Sequence, residues 1–151
     1  MVSTFDILTA RILIVDDMED NVQMLETVLR EVGYSAIAST SDPRAVRELH
    51  RRNDYDLILL DLQMPGMDGF EVMEGLKEFE RDGYLPVLAV TAEPGHKLKA
   101  LQYGAKDFIS KPYDIDEIRA RVRNMLEVRL LYKQLDSANR DMAGRMWVEP
   151  A

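Results

Sequence analysis

The stretch that decides the fold is Leu57-Ile-Leu-Leu-Asp-Leu-Gln-Met-Pro-Gly-Met-Asp-Gly69. Its first four residues form an unbroken apolar run, which is typical of a strand buried on both faces of a parallel sheet. An aspartate, Asp61, follows the run at once. The segment after it resembles a turn into a helix, in which Gly66 and Gly69 permit positive φ. The stretch therefore predicts a buried strand that ends in an acidic side chain.

Four further short runs have strand character, and amphipathic stretches with helical spacing separate them. Such alternation predicts a parallel sheet with helices on both faces. We expect an α/β fold, with a doubly wound five-stranded parallel sheet in the order 2-1-3-4-5, flanked by five helices. The last helix is predicted to begin near Asp114 and to be extended. The four runs are Arg11–Val15, Ser35–Ala38, Pro86–Val90 and Asp107–Ser110.

Polar side chains follow the predicted strands, at the edge where ligands bind in such sheets, with Ser39 and Thr40 after the second strand at an outer position. Two carboxylates ~4 Å apart repel by roughly 4 kcal/mol at an effective dielectric of ~20, so a group of three requires compensation by proton uptake, a cation or a lysine. An all-oxygen ligand set favours Mg²⁺, which commonly also binds a phosphate oxygen. The residues are Asp16 and Asp17 after the first strand, Asp61 after the third, Thr91 after the fourth and Lys111 after the fifth.

Phosphoryl transfer is the chemistry that this set favours. Asp61 follows the central strand and is the best candidate nucleophile, since aspartate carboxylates can form aspartyl-phosphate. Thr91 could donate a hydrogen bond to a phosphoryl oxygen, and Lys111 could neutralise another. We expect only one of Asp16 and Asp17 to contact the metal directly.

Four segments together resemble the signature of response-regulator receiver domains, over about residues 11–125. The similarity implies a switch in two-component signalling that accepts a phosphoryl group on Asp61 from a sensor histidine kinase or a histidine phosphotransfer protein. It implies no enzymatic turnover beyond self-phosphorylation and slow self-dephosphorylation. The segments are Ile14–Asp17, Leu60–Gly69, Thr91-Ala92 and Lys111-Pro112.

The resemblance also implies individual roles. Asp17 would bind Mg²⁺ directly, Asp16 largely through water, and the Gln63 backbone carbonyl would be a further ligand beside Asp61. Thr91 and Lys111 would hold the phosphoryl group, with the Lys111-Pro112 peptide bond cis.

Phe108, three residues before Lys111, matches the aromatic switch position of the family. That position is often tyrosine, so the switch would here be purely steric. The alternative is that Phe108 is an ordinary core aromatic at the sheet edge.

Two rival functions remain open. A magnesium-dependent phosphohydrolase would also use an aspartate nucleophile. Such enzymes carry an Asp-x-Asp motif after the first strand, and here Met18 occupies the position of its second aspartate. A pseudo-receiver, used only as a protein-binding scaffold, usually lacks some of the acidic residues.

The composition of the chain limits the remaining classes of function. The chain has no cysteine, which excludes thiolate chemistry, and its net charge of −8 argues against direct nucleic-acid binding. Neither a signal peptide nor a membrane-spanning run is visible, so we expect a cytoplasmic protein without membrane contact.

We divide the chain into a receiver domain, 10–126, and a C-terminal helical extension, 127–151, with a frayed end. The extension carries an apolar heptad seam with an interior asparagine, which predicts a homodimer contact or a linker helix. The alternative is a helix that ends near Gln134. The seam comprises Met125, Val128, Tyr132, Leu135, Asn139, Met142 and Met146.

Overall fold

The computed structural model describes residues 2–79 and 86–146 of the chain. Five strands form one parallel sheet in the order β2-β1-β3-β4-β5, which confirms the predicted fold class and strand order. The strands are β1 (Arg11–Val15), β2 (Ala36–Thr40), β3 (Leu57–Asp61), β4 (Val87–Thr91) and β5 (Asp107–Ser110).

Six α-helices accompany the sheet in the described residues, one more than expected. They are α1 (Thr4–Leu8), α2 (Glu19–Val32), α3 (Val46–Asn53), α4 (Gly69–Leu76), α5 (Pro94–Gln102) and α6 (Ile115–Met146). A 3₁₀ turn, Pro43–Ala45, precedes α3, and another, Lys77–Phe79, follows α4.

The sheet is buried on both faces, so two apolar clusters form the core. One cluster joins alternate residues of the strands to α1, α2 and α6, and the other joins the intervening residues to α3, α4 and α5. Strands β3 and β4 are buried at every position, as their continuous apolar runs predict.

The additional helix, α1, begins at a capping box. The Asp6 backbone N–H donates to the Ser3 hydroxyl oxygen over 3.1 Å, and the Ser3 N–H donates to the Asp6 carboxylate over 3.0 Å. These bonds satisfy two donors that a short helix would otherwise leave free. Ile7 then enters the core beside α6.

Two glycines shape the loop between β3 and α4 in different ways. Gly66 has a φ of +88°, as the turn requires. Gly69 does not adopt the positive φ that a glycine at this position permits. It is required for space, because a Cβ there would lie 2.7 Å from the Leu62 Cα and 2.9 Å from the Asp61 carbonyl oxygen.

Helix α6 is continuous from Ile115 to Met146, which confirms the predicted extension past Arg140. It packs on the sheet through Ile118, Val122 and Leu126, and Met125 is also buried there. Met125, the first residue of the predicted heptad seam, is therefore already covered by the receiver core.

The final residues of the predicted extension, 147–151, lie outside the described residues. Within the described residues, no helix is long and apolar enough to cross a membrane.

Candidate functional site

The sheet brings the three predicted aspartates together at the carboxyl ends of β1 and β3. Carboxylate oxygens of Asp16, Asp17 and Asp61 all lie within 4.8 Å of one another. Asp16 and Asp61 are each only 2% exposed, and Asp17 is more accessible to solvent. Because β1 and β3 are neighbours in the sheet, residues that are distant in sequence share one acidic pocket.

Local backbone bonds orient the two buried carboxylates. The Met18 N–H donates to Asp16 Oδ1 over 2.9 Å, and the Gln63 N–H donates to Asp61 Oδ1 over 3.0 Å. Each aspartate thus binds the amide two residues ahead, a common way for aspartate to fix a turn. One oxygen of each side chain is thus held by a backbone amide.

The pocket is electrostatically strained without a cation. Burial raises the pKa of the Asp61 carboxyl above its ordinary value, and the nearby Asp16 carboxylate raises it further. The Gln63 N–H and the Lys111 ammonium act in the opposite direction. Lys111 Nζ lies 3.4 Å from Asp61 Oδ2, so one positive charge faces three negative ones.

Thr91 and Lys111 lie beside this pocket, at the ends of β4 and β5. Thr91 is fully buried, and its hydroxyl oxygen accepts the Glu93 N–H over 3.0 Å. The Lys111 N–H donates to the Thr91 carbonyl over 3.0 Å, which ties the two strand ends together. The Lys111-Pro112 peptide bond is cis, as expected.

Phe108 lies half-buried on the edge strand β5, between two cations. Lys97 Nζ is 5.0 Å from the ring centroid, and the Arg121 guanidinium carbon is 5.6 Å from it. Arg121 is fixed in turn by two hydrogen bonds of 2.8 Å to the Asp107 carboxylate. The ring therefore has a defined position that cation–π attraction stabilises.

The residues present suit a hard divalent cation. All side-chain donors of the cluster are carboxylate oxygens, and Mg²⁺ prefers oxygen ligands. Asp16, Asp17, Asp61 and the Gln63 carbonyl are the groups that could hold it. The uncompensated negative charge of the pocket is the physical reason why a cation would bind there.

Tyr113 is a neighbour of the site that the sequence reasoning did not single out. Its hydroxyl is buried and makes no hydrogen bond within the described residues. Burial raises the pKa of Tyr113, and the Asp16 and Asp61 carboxylates raise it further. The available signal was its position directly after Lys111-Pro112.

Comparison with known proteins agrees with this geometry. The family model "Response regulator receiver domain" matches residues 12–123. The chain is 39% identical over 140 residues to the response regulator PleD of Caulobacter vibrioides, covering 91% of this chain and 30% of PleD. It is 38% identical over 117 residues to the sensory transduction protein RegX3 of Mycobacterium tuberculosis, covering 76% of this chain and 50% of RegX3. The chain thus spans half or less of these relatives.

Among solved structures, the fold resembles the receiver domain of the sensor histidine kinase PA1611 from Pseudomonas aeruginosa. The TM-score is 0.70 at 27% identity, covering 79% of this chain and 98% of that one. That structure has a magnesium ion coordinated in its active site cleft.

Proposed function

Because this chain belongs to the response regulator receiver family and is thus a receiver domain of two-component signalling, we propose that it accepts a phosphoryl group on Asp61. The observation that carries the proposal is the convergence of three carboxylates within 4.8 Å, with Lys111 beside Asp61. This arrangement suits phosphoryl transfer, in which the protein mainly supplies position and charge neutralisation.

The donor would be a phosphohistidine on a sensor histidine kinase or a histidine phosphotransfer protein. An Asp61 oxygen forms the new O–P bond while the N–P bond to histidine breaks, and the imidazole leaves with the bonding electrons. Lys111 stays close enough to neutralise one phosphoryl oxygen, and the Thr91 hydroxyl can donate to another. The hydrogen bond from the Lys111 N–H to the Thr91 carbonyl keeps the two residues adjacent.

Mg²⁺ is the cofactor that we propose, held by Asp17, Asp61 and the Gln63 carbonyl, with Asp16 acting largely through water. When bound, it would neutralise the negative charge that accumulates on the phosphoryl oxygens. Its role is supported by the all-oxygen ligand set and by the magnesium site of the PA1611 receiver.

We expect a switch and not an enzyme with multiple turnover, since a receiver returns to its starting state by slow self-dephosphorylation. A cytoplasmic location likewise stays a prediction.

Phe108 is the residue that we propose as the switch aromatic. Inward rotation of its ring toward Thr91 would give up the contacts with Lys97 and Arg121. Such contacts contribute about 0.5–1 kcal/mol each at exposed sites. Where the family often has a tyrosine hydroxyl, contacts with two cations would thus hold the ring in its present position.

A homodimer through α6 is the partner arrangement that we propose for the extension. Val128, Leu131 and Leu135 are 43%, 47% and 59% exposed, although they are large apolar residues on one helix. They lie on or beside the predicted heptad positions, where a second copy of the helix could cover them.

The phosphoryl acceptor is tested by intact-mass analysis after incubation with Mg²⁺ and acetyl phosphate. We expect the wild-type chain to gain one base-labile phosphoryl group and Asp61→Asn to gain none. Asp20→Asn is the matched control, because Asp20 is exposed and lies outside the acidic cluster. It should be labelled like the wild type.

Two further measurements test the metal dependence and the type of reaction. EDTA should abolish labelling, and added phosphate esters should not be hydrolysed over many turnovers. Equal labelling of Asp61→Asn and the wild type would refute Asp61 as the acceptor, and sustained ester hydrolysis would favour the phosphohydrolase alternative.

A further inference from the structure

A groove between α3 and the 3₁₀ turn after α4 is lined by arginines. Residues 44–52 contain four arginines and one glutamate, in a chain whose net charge is −8. Three of these arginines border a cavity of about 440 Å³. Positive charge is thus concentrated where the fold also leaves room for a small ligand. The residues that line the cavity are Arg44, Arg47, Glu48, Arg51, Glu78 and Phe79.

The two glutamates of the groove are counter-ions that another anion could replace. Arg47 forms an ion pair with Glu78 across the groove, and Arg51 Nε lies 2.8 Å from Glu48 Oε2. All four side chains are between 46% and 65% exposed. Exposed ion pairs contribute little to stability, because water competes for both charges. An anion with more charge than a carboxylate can therefore displace the glutamates at small cost.

The glutamates themselves report how positive the groove is. Hydrogen bonds from Arg51 and then Arg52 lower the pKa of the Glu48 carboxyl to about 2. The Arg47 guanidinium likewise lowers the pKa of the Glu78 carboxyl. Both carboxylates are thus fully ionised at neutral pH, and three lining arginines still face only two negative charges.

Arg44 supplies the positive charge that is left over. It lines the groove, but it makes no ion pair with a residue that the structure describes. Its Nη2 would lie 3.9 Å from a Cβ on Gly66, in the loop between β3 and α4. The Arg44 backbone N–H donates to the Asp42 carboxylate over 2.9 Å, which fixes the start of the 3₁₀ turn. One wall of the groove therefore carries a charged donor group that no carboxylate of the described residues neutralises.

Arginines suit phosphate groups better than single carboxylates. Each guanidinium is a planar fork of N–H donors that can bind two phosphate oxygens at once. A diphosphate has enough oxygens and enough charge to bind several guanidinium groups in place of the glutamates. The cavity volume falls within the range of roughly 300–1,000 Å³ that is usual for small-molecule sites.

We propose that this groove is a binding site for a small anion that carries a diphosphate group, bound by Arg44, Arg47 and Arg51. The anion would replace Glu48 and Glu78 as the partner of the arginines. The site is separate from the acidic pocket, needs no metal ion and would bind its ligand without chemical change. The inference thus goes beyond the proposed function.

The test is titration of inorganic pyrophosphate into the full chain in the presence of EDTA, followed by calorimetry and by thermal unfolding. Without Mg²⁺ the acidic pocket repels anions, so binding there cannot imitate binding in the groove. We expect the wild type to bind and to melt at a higher temperature. In the double variant Arg44→Gln/Arg47→Gln the dissociation constant should rise by about 10-fold or more, because each loss removes a charged hydrogen-bond donor. Both side chains are exposed, so the variant should fold like the wild type.

The double variant Arg119→Gln/Arg140→Gln is the matched control. It removes two positive charges from exposed sites on α6, where Arg119 pairs with Glu31 over 3.5 Å and Arg140 pairs with Asp136 over 3.1 Å. It should bind pyrophosphate like the wild type. An equal loss of affinity in both double variants would overturn the inference, because it would show a general effect of net charge. A wild-type chain with neither binding heat nor a raised melting temperature at millimolar pyrophosphate would also overturn it.

ADP, titrated in the same way, distinguishes a nucleotide from an inorganic diphosphate. Tighter binding than pyrophosphate supports a nucleotide ligand that also contacts Phe79, which lines the groove. Weaker binding supports an inorganic diphosphate. If neither compound binds, the groove is not a diphosphate site, and the proposed phosphorylation of Asp61 is unaffected by that result.

Discussion

At the scale of single residues, repulsion in the acidic pocket lowers the stability of the metal-free fold, and the same charges suit the pocket to bind a cation. Asp16, Asp17 and Asp61 repel one another at distances below 4.8 Å, and Lys111 offsets part of that repulsion at 3.4 Å from Asp61. Pairs at ~4 Å cost roughly 4 kcal/mol at an effective dielectric of ~20, so a single ammonium cannot balance three carboxylates. The pocket is therefore prepared for a divalent cation at the expense of the metal-free state.

The corresponding prediction concerns Mg²⁺ and Asp17. A ligand that binds only the folded state stabilises it by RT ln(1 + [L]/Kd), about 2.7 kcal/mol at 100 times Kd. For a chain of this size we expect the melting temperature to rise by roughly 5–10 °C. Asp17→Ala should remove most of this rise. Its metal-free melting temperature should equal or exceed that of the wild type, because one repelling charge is gone. Thermal unfolding with Mg²⁺ and with EDTA measures both effects.

Asp20→Ala is the control for this experiment. Asp20 is an exposed aspartate three residues further along the chain, outside the cluster. It should keep the full response to Mg²⁺. An Asp17→Ala variant that responds to Mg²⁺ as strongly as the wild type would show that Asp17 is not a ligand.

The sequence predicted the acidic site well because strand ends meet at one edge of a parallel sheet. Asp16, Asp61 and Thr91 could be placed from periodicity alone. Tyr113 could not, because only the packed structure shows that its hydroxyl is buried without a partner. Asp56 was missed for a similar reason, since its carboxylate is buried by contacts with a helix 77 residues away in sequence.

At the scale of elements, α6 has two faces with different tasks. One face packs in the core through Ile118, Val122 and Leu126. Beyond these residues, the helix is held by ion pairs to the loop before β3. Lys133 contacts both Asp56 and Asp54, and Arg129 Nη2 lies 3.4 Å from Asp54 Oδ1. These contacts fix the direction in which α6 leaves the sheet.

Replacing Lys133 tests whether these ion pairs hold the helix. Asp56 is a nearly buried carboxylate that also accepts the Arg11 N–H over 2.9 Å. Without Lys133 it would lose a charged partner, at a cost of about 1–2 kcal/mol, since Arg129 remains nearby. We expect Lys133→Met to lower the free energy of unfolding by this amount. Faster amide exchange in α6 after Leu126 should accompany the loss.

Arg140→Met is the matched control on the same helix. Arg140 pairs with Asp136 one turn away over 3.1 Å, and both groups are part of the helix itself. Such exposed i,i+4 pairs contribute about 0.3–0.5 kcal/mol. If Lys133→Met costs no more than Arg140→Met in urea unfolding, the pairs with Asp54 and Asp56 do not anchor α6.

Elements with strong apolar periodicity were predictable, and short ones were not. All five strands and α6 followed from their runs and spacing. Helix α1 was missed because five residues give no usable period, although Ser3 and Asp6 carry the spacing of a capping box. Its stability comes from Ile7 in the core, a tertiary contact that no local pattern shows.

At the scale of the whole molecule, the receiver is a three-layer body with a helical arm. Gln134 lines a cavity of about 320 Å³ together with Lys133 and Asp56. Beyond Gln134, α6 continues to Met146. At ~1.5 Å per residue, these last turns extend about 18 Å. Val128, Leu135 and Met142 are exposed along α6 at heptad spacing. An exposed apolar seam of this kind is typical of a helix with a partner.

The last prediction is that this arm pairs two copies of the chain. Leu135 is 59% exposed at a central seam position, and Tyr132 and Met142 lie one turn before it and two turns after it. Asn139, also exposed, would favour an in-register pair at some cost in stability. Leu135→Asp would place a charge inside the seam, whereas Ser137→Asp, two residues on, places the same charge on the opposite face. We expect sedimentation at high micromolar concentration to show dimers for the wild type and Ser137→Asp and monomers for Leu135→Asp, with beryllofluoride increasing the dimer fraction. If the wild type remains monomeric both with and without beryllofluoride, the seam does not join two copies of this chain.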